Sequence, residues 1–170
     1  GNSAIDAART MIRKGAEVTV LYRRSEEEMP AFPTEVAEAR EEGVRFRFLG
    51  APHELRGEEG AVKEVVVQAM ALGEPDRSGR RRPVAIPGET TVMEADMVIA
   101  AMGQFPDPLL VGSLSDVVDS KGYLVTDGEG RTPAEGIFAC GDGVGGASTV
   151  VEAVAAGTRV AAAVHKSLTE

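Results

Sequence analysis

One cysteine, Cys140, stands among the 170 residues. A lone cysteine makes no disulfide, no C-x-x-C redox pair and no four-cysteine zinc or iron–sulfur site within the chain. It follows an apolar segment and reads as a small buried side chain. Tryptophan is absent and aromatic residues are only 4%, so the core must be built from Val, Ala, Leu and Ile. The only two histidines, His53 and His165, have no partner motif and read as surface residues. No run approaches the ~18 uncharged apolar residues of a membrane span. No leader opens the chain, so the expected location is the cytoplasm. Positive charge is scarce as well. Lys and Arg number 18 against 27 Asp and Glu, a net charge of −9, whereas a nucleic-acid binder needs a basic footprint. The one basic run, Arg80-Arg81-Arg82, lies near Asp76, Ser78 and Gly79 and reads as a solvated loop.

What is plentiful is turn chemistry. Twenty glycines and nine prolines point to α/β or α+β organisation. Residues Asn2 to Lys14 carry Ala4, Ile5, Ala8, Met11 and Ile12 at helical spacing, with Gly15 as the stop. Glu17 to Tyr22 alternates as a strand. Pro33-Thr34 opens a second helix, expected over 34–42, and Gly43 closes it. Val44 to Leu49 sets Val44, Phe46 and Phe48 against Arg45 and Arg47, a half-buried strand. Helix, strand, helix, strand is the order of a doubly wound sheet. Glu64–Leu72 and Pro83–Ile86 then follow without a helix between them, so antiparallel pairing is expected. Met97 to Ala101 is a short apolar run, expected as a buried strand. A turn-rich stretch spans 104–122. Tyr123–Val125 and Ile137–Ala139 are further expected strands. A closing helix is expected over 148–168, with Val151, Val154, Ala155, Val160, Ala161 and Val164 towards one face.

Four segments carry chemistry. Gly1-Asn2-Ser3-Ala4 opens the first helix. It matches the end of a dinucleotide fingerprint, in which glycine admits the pyrophosphate and first-turn N–H groups receive it. A plain helix start with small residues would read the same. The next strand ends in Arg23-Arg24, with no acid before Glu26. In such folds an acid at this point binds a ribose 2′-OH, whereas arginine accommodates a 2′-phosphate. Two guanidiniums there favour NADPH over NADH; the alternative is surface pairing with Glu26, Glu27 and Glu28. The third segment, Ala100 to Pro106 with Gly103 and Gln104, is a small-residue exit at a strand end. In the fourth, Gly141-Asp142 ends a strand, a glycine-rich loop follows, and a helix starts near Ser148, Thr149 and Val150. The Asp142 carboxylate suits a polyol, and the helix start suits negative charge on a ring.

Together these residues resemble the flavin-dependent pyridine-nucleotide oxidoreductases, in the branch typified by the small (beta) subunit of NADPH-dependent glutamate synthase. Residues 1–9, 18–31, 101–104 and 149–153 carry the resemblance. It implies a Rossmann-like, three-layer (ββα) nucleotide-binding domain with an antiparallel strand insertion over residues 1–104, lacking its first strand. Residues 105–170 would be the C-terminal piece of an FAD-binding domain. Gly1, Asn2, Ser3 and Ala4 would hold the NADPH pyrophosphate, and Arg23 and Arg24 its 2′-phosphate. Asp142 would meet the FAD ribityl chain, and the backbone at Thr149 and Val150 the flavin edge. The implied activity is hydride transfer from NADPH to FAD, then electron transfer to [4Fe–4S] clusters whose cysteines would lie upstream. The implied partner is a glutamate synthase large subunit or another iron–sulfur acceptor. No side chain need act as acid, base or nucleophile. The rival reading is a non-catalytic truncated module that binds a nucleotide or a partner and turns nothing over.

Overall fold

The computed structural model describes residues 1–76, 79–107 and 112–169, and of Ser113 the backbone alone. Ser78 and part of the expected turn-rich stretch lie outside the described residues. The chain forms two compact units, Gly1–Ala101 and Met102–Glu170.

The first unit opens with α1 (Asn2–Arg13) and β1 (Thr19–Tyr22). A 3-10 turn (Glu26–Glu28), α2 (Pro33–Glu41) and β2 (Arg45–Phe48) follow. β1 and β2 pair in parallel, Thr19 against Arg45 and Tyr22 against Phe48. This is the doubly wound order that the periodicity predicts. Ile5 and Ala8 of α1 pack with Ala31, Val36, Ala39 and Val44 in a dry cluster. Arg9 joins the two helices from above, pairing with Glu38 and Glu42 at 2.7 Å each. Arg13 also bonds Glu42. Hydrogen bonds from Arg13 and Arg9 push the Glu42 carboxyl down to about 2.

The chain then turns a corner at one residue. Leu49 adopts φ 55, its N–H donates to the Arg24 carbonyl at 3.1 Å, and its carbonyl accepts from Met70 N at 2.8 Å. β3 (Gly50–Glu58) leaves at once and pairs antiparallel with β4 (Ala61–Pro75), which pairs with β5 (Arg81–Glu94). The antiparallel pairing was expected, but β3 was not, and β5 runs well past Ile86. β3 has few apolar residues and carries Pro52 beside a register shift. It is an edge strand held by backbone bonds rather than by a patterned face. Gly50 lets the corner pack closely: a Cβ there would sit 2.9 Å from both Leu21 Cδ1 and Val67 Cγ1, which would have to shift.

Two expected strand regions differ. Met97–Ala101 is not a buried strand; it has no ladder partner among the described residues, and Met97, Val98 and Ile99 are exposed. Residues 123–125 and 137–139 shrink to single bridges, Val118 with Leu124 and Arg131 with Phe138. Around the two bridges the backbone goes instead into turns, while residues 97–101 take no regular structure.

The second unit holds a 3-10 segment (Gly112–Val117), two aspartate-capped turns, the short α3 (Asp142–Gly145) and α4 (Val150–Thr169). Asp119 Oδ1 accepts from Lys121 N at 2.8 Å and Tyr123 N at 3.0 Å. Asp127 Oδ1 repeats the arrangement with Glu129 N at 2.8 Å and Arg131 N at 2.9 Å. These bonds hold both carboxyls below the usual carboxylate range, and they explain why D-x-x-G recurs at 119–122 and 127–130. α4 packs a stripe of Ala153, Ala156, Gly157, Val160, Ala163 and Val164 inward. The expected face is therefore corrected: Val151, Val154, Ala155 and Ala161 are exposed. The reason is Gly130, at φ +82, which lies so close to α4 that an added Cβ would fall 2.3 Å from Val160 Cγ2.

Candidate functional site

In the first unit the candidate surface is the start of α1 together with the end of β1. Gly1 is the N-cap, and no side chain caps the helix. The Ala4 N–H donates to the Gly1 carbonyl at 3.1 Å, so the first-turn N–H groups left for an external acceptor are those of Asn2 and Ser3. A Cβ on Gly1 would meet nothing nearer than Pro30 Cγ at 3.9 Å, so the approach is open. Asn2 faces the other way: its Oδ1 accepts from Phe32 N at 2.9 Å. That bond folds residues 29–32 back towards the helix start. Ser3 is exposed and Ala4 half-buried.

The two arginines after β1 part company. Arg23 is exposed and makes no ion pair among the described residues. Arg24 is buried. Its Nε donates to the Arg81 carbonyl at 2.7 Å and its Nη2 to Asp76 Oδ2 at 2.8 Å. Glu28, also buried, accepts from Arg81 N at 2.8 Å and Arg81 Nε at 2.7 Å. Those bonds hold its carboxyl below the usual range. The 80–82 run is therefore not simply a solvated loop, because Arg81 ties the β4–β5 turn to the strand exit. The alternative pairing of Arg24 with Glu26, Glu27 or Glu28 is replaced by Asp76. Nothing in the local sequence marks Asp76, which is distant in the chain.

In the second unit Gly141, Asp142, Ser148, Thr149 and Val150 come together around α3 and the start of α4. Gly141 sits at φ 67, ψ −149, a conformation that admits glycine. Asp142 Oδ1 accepts from Ser148 N at 3.3 Å, and its carboxylate is exposed. Thr149 and Glu152 form a reciprocal capping box. Glu152 Oε2 accepts from Thr149 N at 2.9 Å and Thr149 Oγ1 accepts from Glu152 N at 3.3 Å. The T-x-x-E spacing signals it, yet Glu152 was missed as a site residue. Its carboxyl is lowered by the Thr149 N–H and hydroxyl. The Thr149 N–H is therefore already engaged, and the next donors along the helix start belong to Val150 and Val151. A cavity of about 340 Å³ is lined by Gly141, Ser148, Glu152, Asp127, Gly130 and Arg159 among others. Cys140 lines it too and is exposed rather than buried; the segment before it is a single bridge, so no sheet covers it. Gly103, at φ +95, and Gln104 are exposed on a separate segment and do not line this cavity. His53 and His165 are exposed, as expected.

Comparison with known proteins places these features. The model of the pyridine nucleotide-disulphide oxidoreductases matches residues 1–157. The chain is 46% identical over 171 residues to the NADP(+)-dependent formate dehydrogenase subunit beta of Moorella thermoacetica, covering 99% of this chain and 24% of that protein. It is 44% identical over 160 residues to the glutamate synthase [NADPH] small chain of Halomonas elongata, covering 91% of this chain and 34% of that one. The crystal structure of Lactococcus lactis thioredoxin reductase superposes with a TM-score of 0.79 at 26% identity, over 98% of this chain and 50% of that one. The fold is thus the Rossmann-like α/β fold of these enzymes. The chain spans about a quarter to a third of the curated relatives' length.

Proposed function

The chain belongs to the pyridine nucleotide-disulphide oxidoreductase family, and from that membership we propose that it is the NADPH- and flavin-contacting part of an oxidoreductase resembling the glutamate synthase small subunit. The observation that carries the reading is the uncapped start of α1 beside an exposed arginine at the exit of β1. Free first-turn N–H groups suit a pyrophosphate, and a guanidinium where other relatives of the fold place an acid suits a 2′-phosphate. Residues 1–104 would form the NADPH domain and 105–170 the returning part of the FAD domain.

The residues present fit both groups, with one adjustment. Gly1 leaves room for the pyrophosphate, the Asn2 and Ser3 N–H groups are its donors, and Ala4, whose N–H is held by the Gly1 carbonyl, supplies a small side chain. Asn2 shapes the wall formed by residues 29–32 rather than reaching outward with its oxygen. Asp142 presents an exposed carboxylate to a ribityl hydroxyl. With the Thr149 N–H held by Glu152, the donors for a flavin edge are at Val150 and beyond. A bound flavin would supply the change from two-electron to one-electron chemistry, accepting hydride from NADPH and passing electrons on. This chain's side chains bind and orient; none among the described residues is assigned a role as acid, base or nucleophile. The proposed electron outlet is an iron–sulfur partner or subunit.

The test is anaerobic reduction of the FAD-reconstituted protein at its natural length. NADPH should bleach the flavin band near ~450 nm, and NADH should do so more slowly. A flavin that stays oxidised under excess NADPH would refute the reading.

A further inference from the structure

The arginine pair after β1 divides its work, and the division is visible in what each guanidinium touches. Arg24 is held from three directions. Its side chain bonds the Arg81 carbonyl at 2.7 Å and Asp76 at 2.8 Å, and its carbonyl accepts from Leu49 N at 3.1 Å. Its side chain is only 7% exposed. A buried charge is retained when a partner neutralises it, and breaking such a pair leaves an uncompensated charge. A phosphate arriving at Arg24 would have to displace Asp76 or sit beside its carboxylate, a like-charge contact. Arg23 has neither obstacle: it is exposed and without an ion pair among the described residues. Both partners belong to the β4–β5 turn, Asp76 just after β4 and Arg81 at the start of β5, and Arg81 is itself fixed there by Glu28. The exit of β1 is therefore clamped by an element more than fifty residues away in the chain.

We infer that Arg23 alone reads the cofactor's 2′-phosphate, while Arg24 and Asp76 act as positioning residues that fix the strand exit and so aim Arg23. The inference rests on the NADPH reading above and refines it. It makes Asp76, on the antiparallel insertion, a determinant of cofactor selectivity.

The probes are adenosine 2′,5′-bisphosphate and 5′-AMP, which differ only in the 2′-phosphate, titrated calorimetrically into the protein at its natural length. The wild type should prefer the bisphosphate. Arg23→Ala should lose at least tenfold in bisphosphate affinity, with 5′-AMP unchanged. Asp76→Asn keeps the side-chain shape and spares Arg24 itself, whose removal risks unfolding. It should weaken bisphosphate binding two- to fivefold and leave 5′-AMP alone. A merely structural role would lower both affinities together, and that result overturns the inference. So does bisphosphate binding that survives Arg23→Ala, or that tightens in Asp76→Asn because Arg24 has been released as a ligand. In those cases the wild-type preference stands and the NADPH reading survives. A folded wild type that does not distinguish the two probes removes the NADPH reading and this inference together.

Discussion

The two units of this chain bury their apolar residues very differently. Among the described residues, nine of the buried hydrophobic side chains lie in the first unit and two, Val117 and Ala163, in the second. The first unit has helices on a parallel strand pair and a long antiparallel sheet, and its two helices share one buried cluster, although Val84, Val92 and Met97 to Ile99 stay exposed. The second is made largely of turns, with one helix that buries small residues and leaves Val150, Val151 and Val154 exposed. The contrast teaches that regular secondary structure is not what separates them, since α4 is the longest helix. What separates them is that two helices and their neighbouring strands share one buried cluster in the first unit, whereas α4 finds only small residues to bury in the second. The first unit can hold its site residues rigidly by packing. The second holds them by local devices: two aspartate turns, a glycine contact and a capping box.

The comparison can be broken by mutation. Ile5 is 1% exposed, and Ile5→Ala should cost about 2–5 kcal/mol of unfolding free energy for the first unit. Val154→Ala, on the exposed face of α4, should stay within about 0.5 kcal/mol. Denaturant midpoints read both, and equal losses would contradict the contrast. Gly130→Ala should destabilise the second unit by about 1–3 kcal/mol, because the added methyl must push Val160 away from a backbone already at positive φ. Limited proteolysis should show faster cleavage after residue 102 with the first unit unchanged. Thr149→Ala removes the α4 cap and should cost about 0.5–2 kcal/mol locally. Faster amide exchange confined to the first turn of α4 is the check, and unchanged exchange there would discount the capping box.

The smallest effect sharpens the electrostatic side. The Glu42 carboxyl is depressed from 4.5 to about 2. A depressed carboxylate contributes stability above its unfolded value, and that contribution is lost as pH falls from about 4.5 towards about 2. Glu42→Gln should flatten the acid limb of first-unit stability in that window and change little at neutral pH beyond the lost pairing. An identical acid limb in the variant would show that the Arg9–Arg13–Glu42 cluster does not set it.

What the sequence disclosed follows the same division. The helices and parallel strands of the first unit were legible because each repeats apolar residues at one period and is bounded by Gly or Pro. β3 was not, because an edge strand held by backbone bonds needs no apolar alternation. Met97–Ala101 misled for the opposite reason: an apolar run signals a strand only where a neighbouring strand lies beside it. In the second unit the Gly-Asp loop and helix start were legible as motifs. The Thr149–Glu152 box followed a spacing rule that went unused, and the exposure of Cys140 depended on a sheet that the turns replace. Arg23 and Arg24 look equivalent in sequence. Their difference is set by Asp76 and Arg81, a contact that no local pattern encodes.

On this reading the two units serve two cofactors, the first unit NADPH and the second FAD. Hydrogen exchange on the protein at its natural length tests it directly, comparing the apo, FAD-loaded, and FAD- and NADPH-loaded states. FAD should slow amides in residues 141–151. Adding NADPH should then slow residues 1–5 and 22–25, with little further change in 141–151. Protection by NADPH confined to 141–151, with none at the start of α1 or the exit of β1, would contradict it.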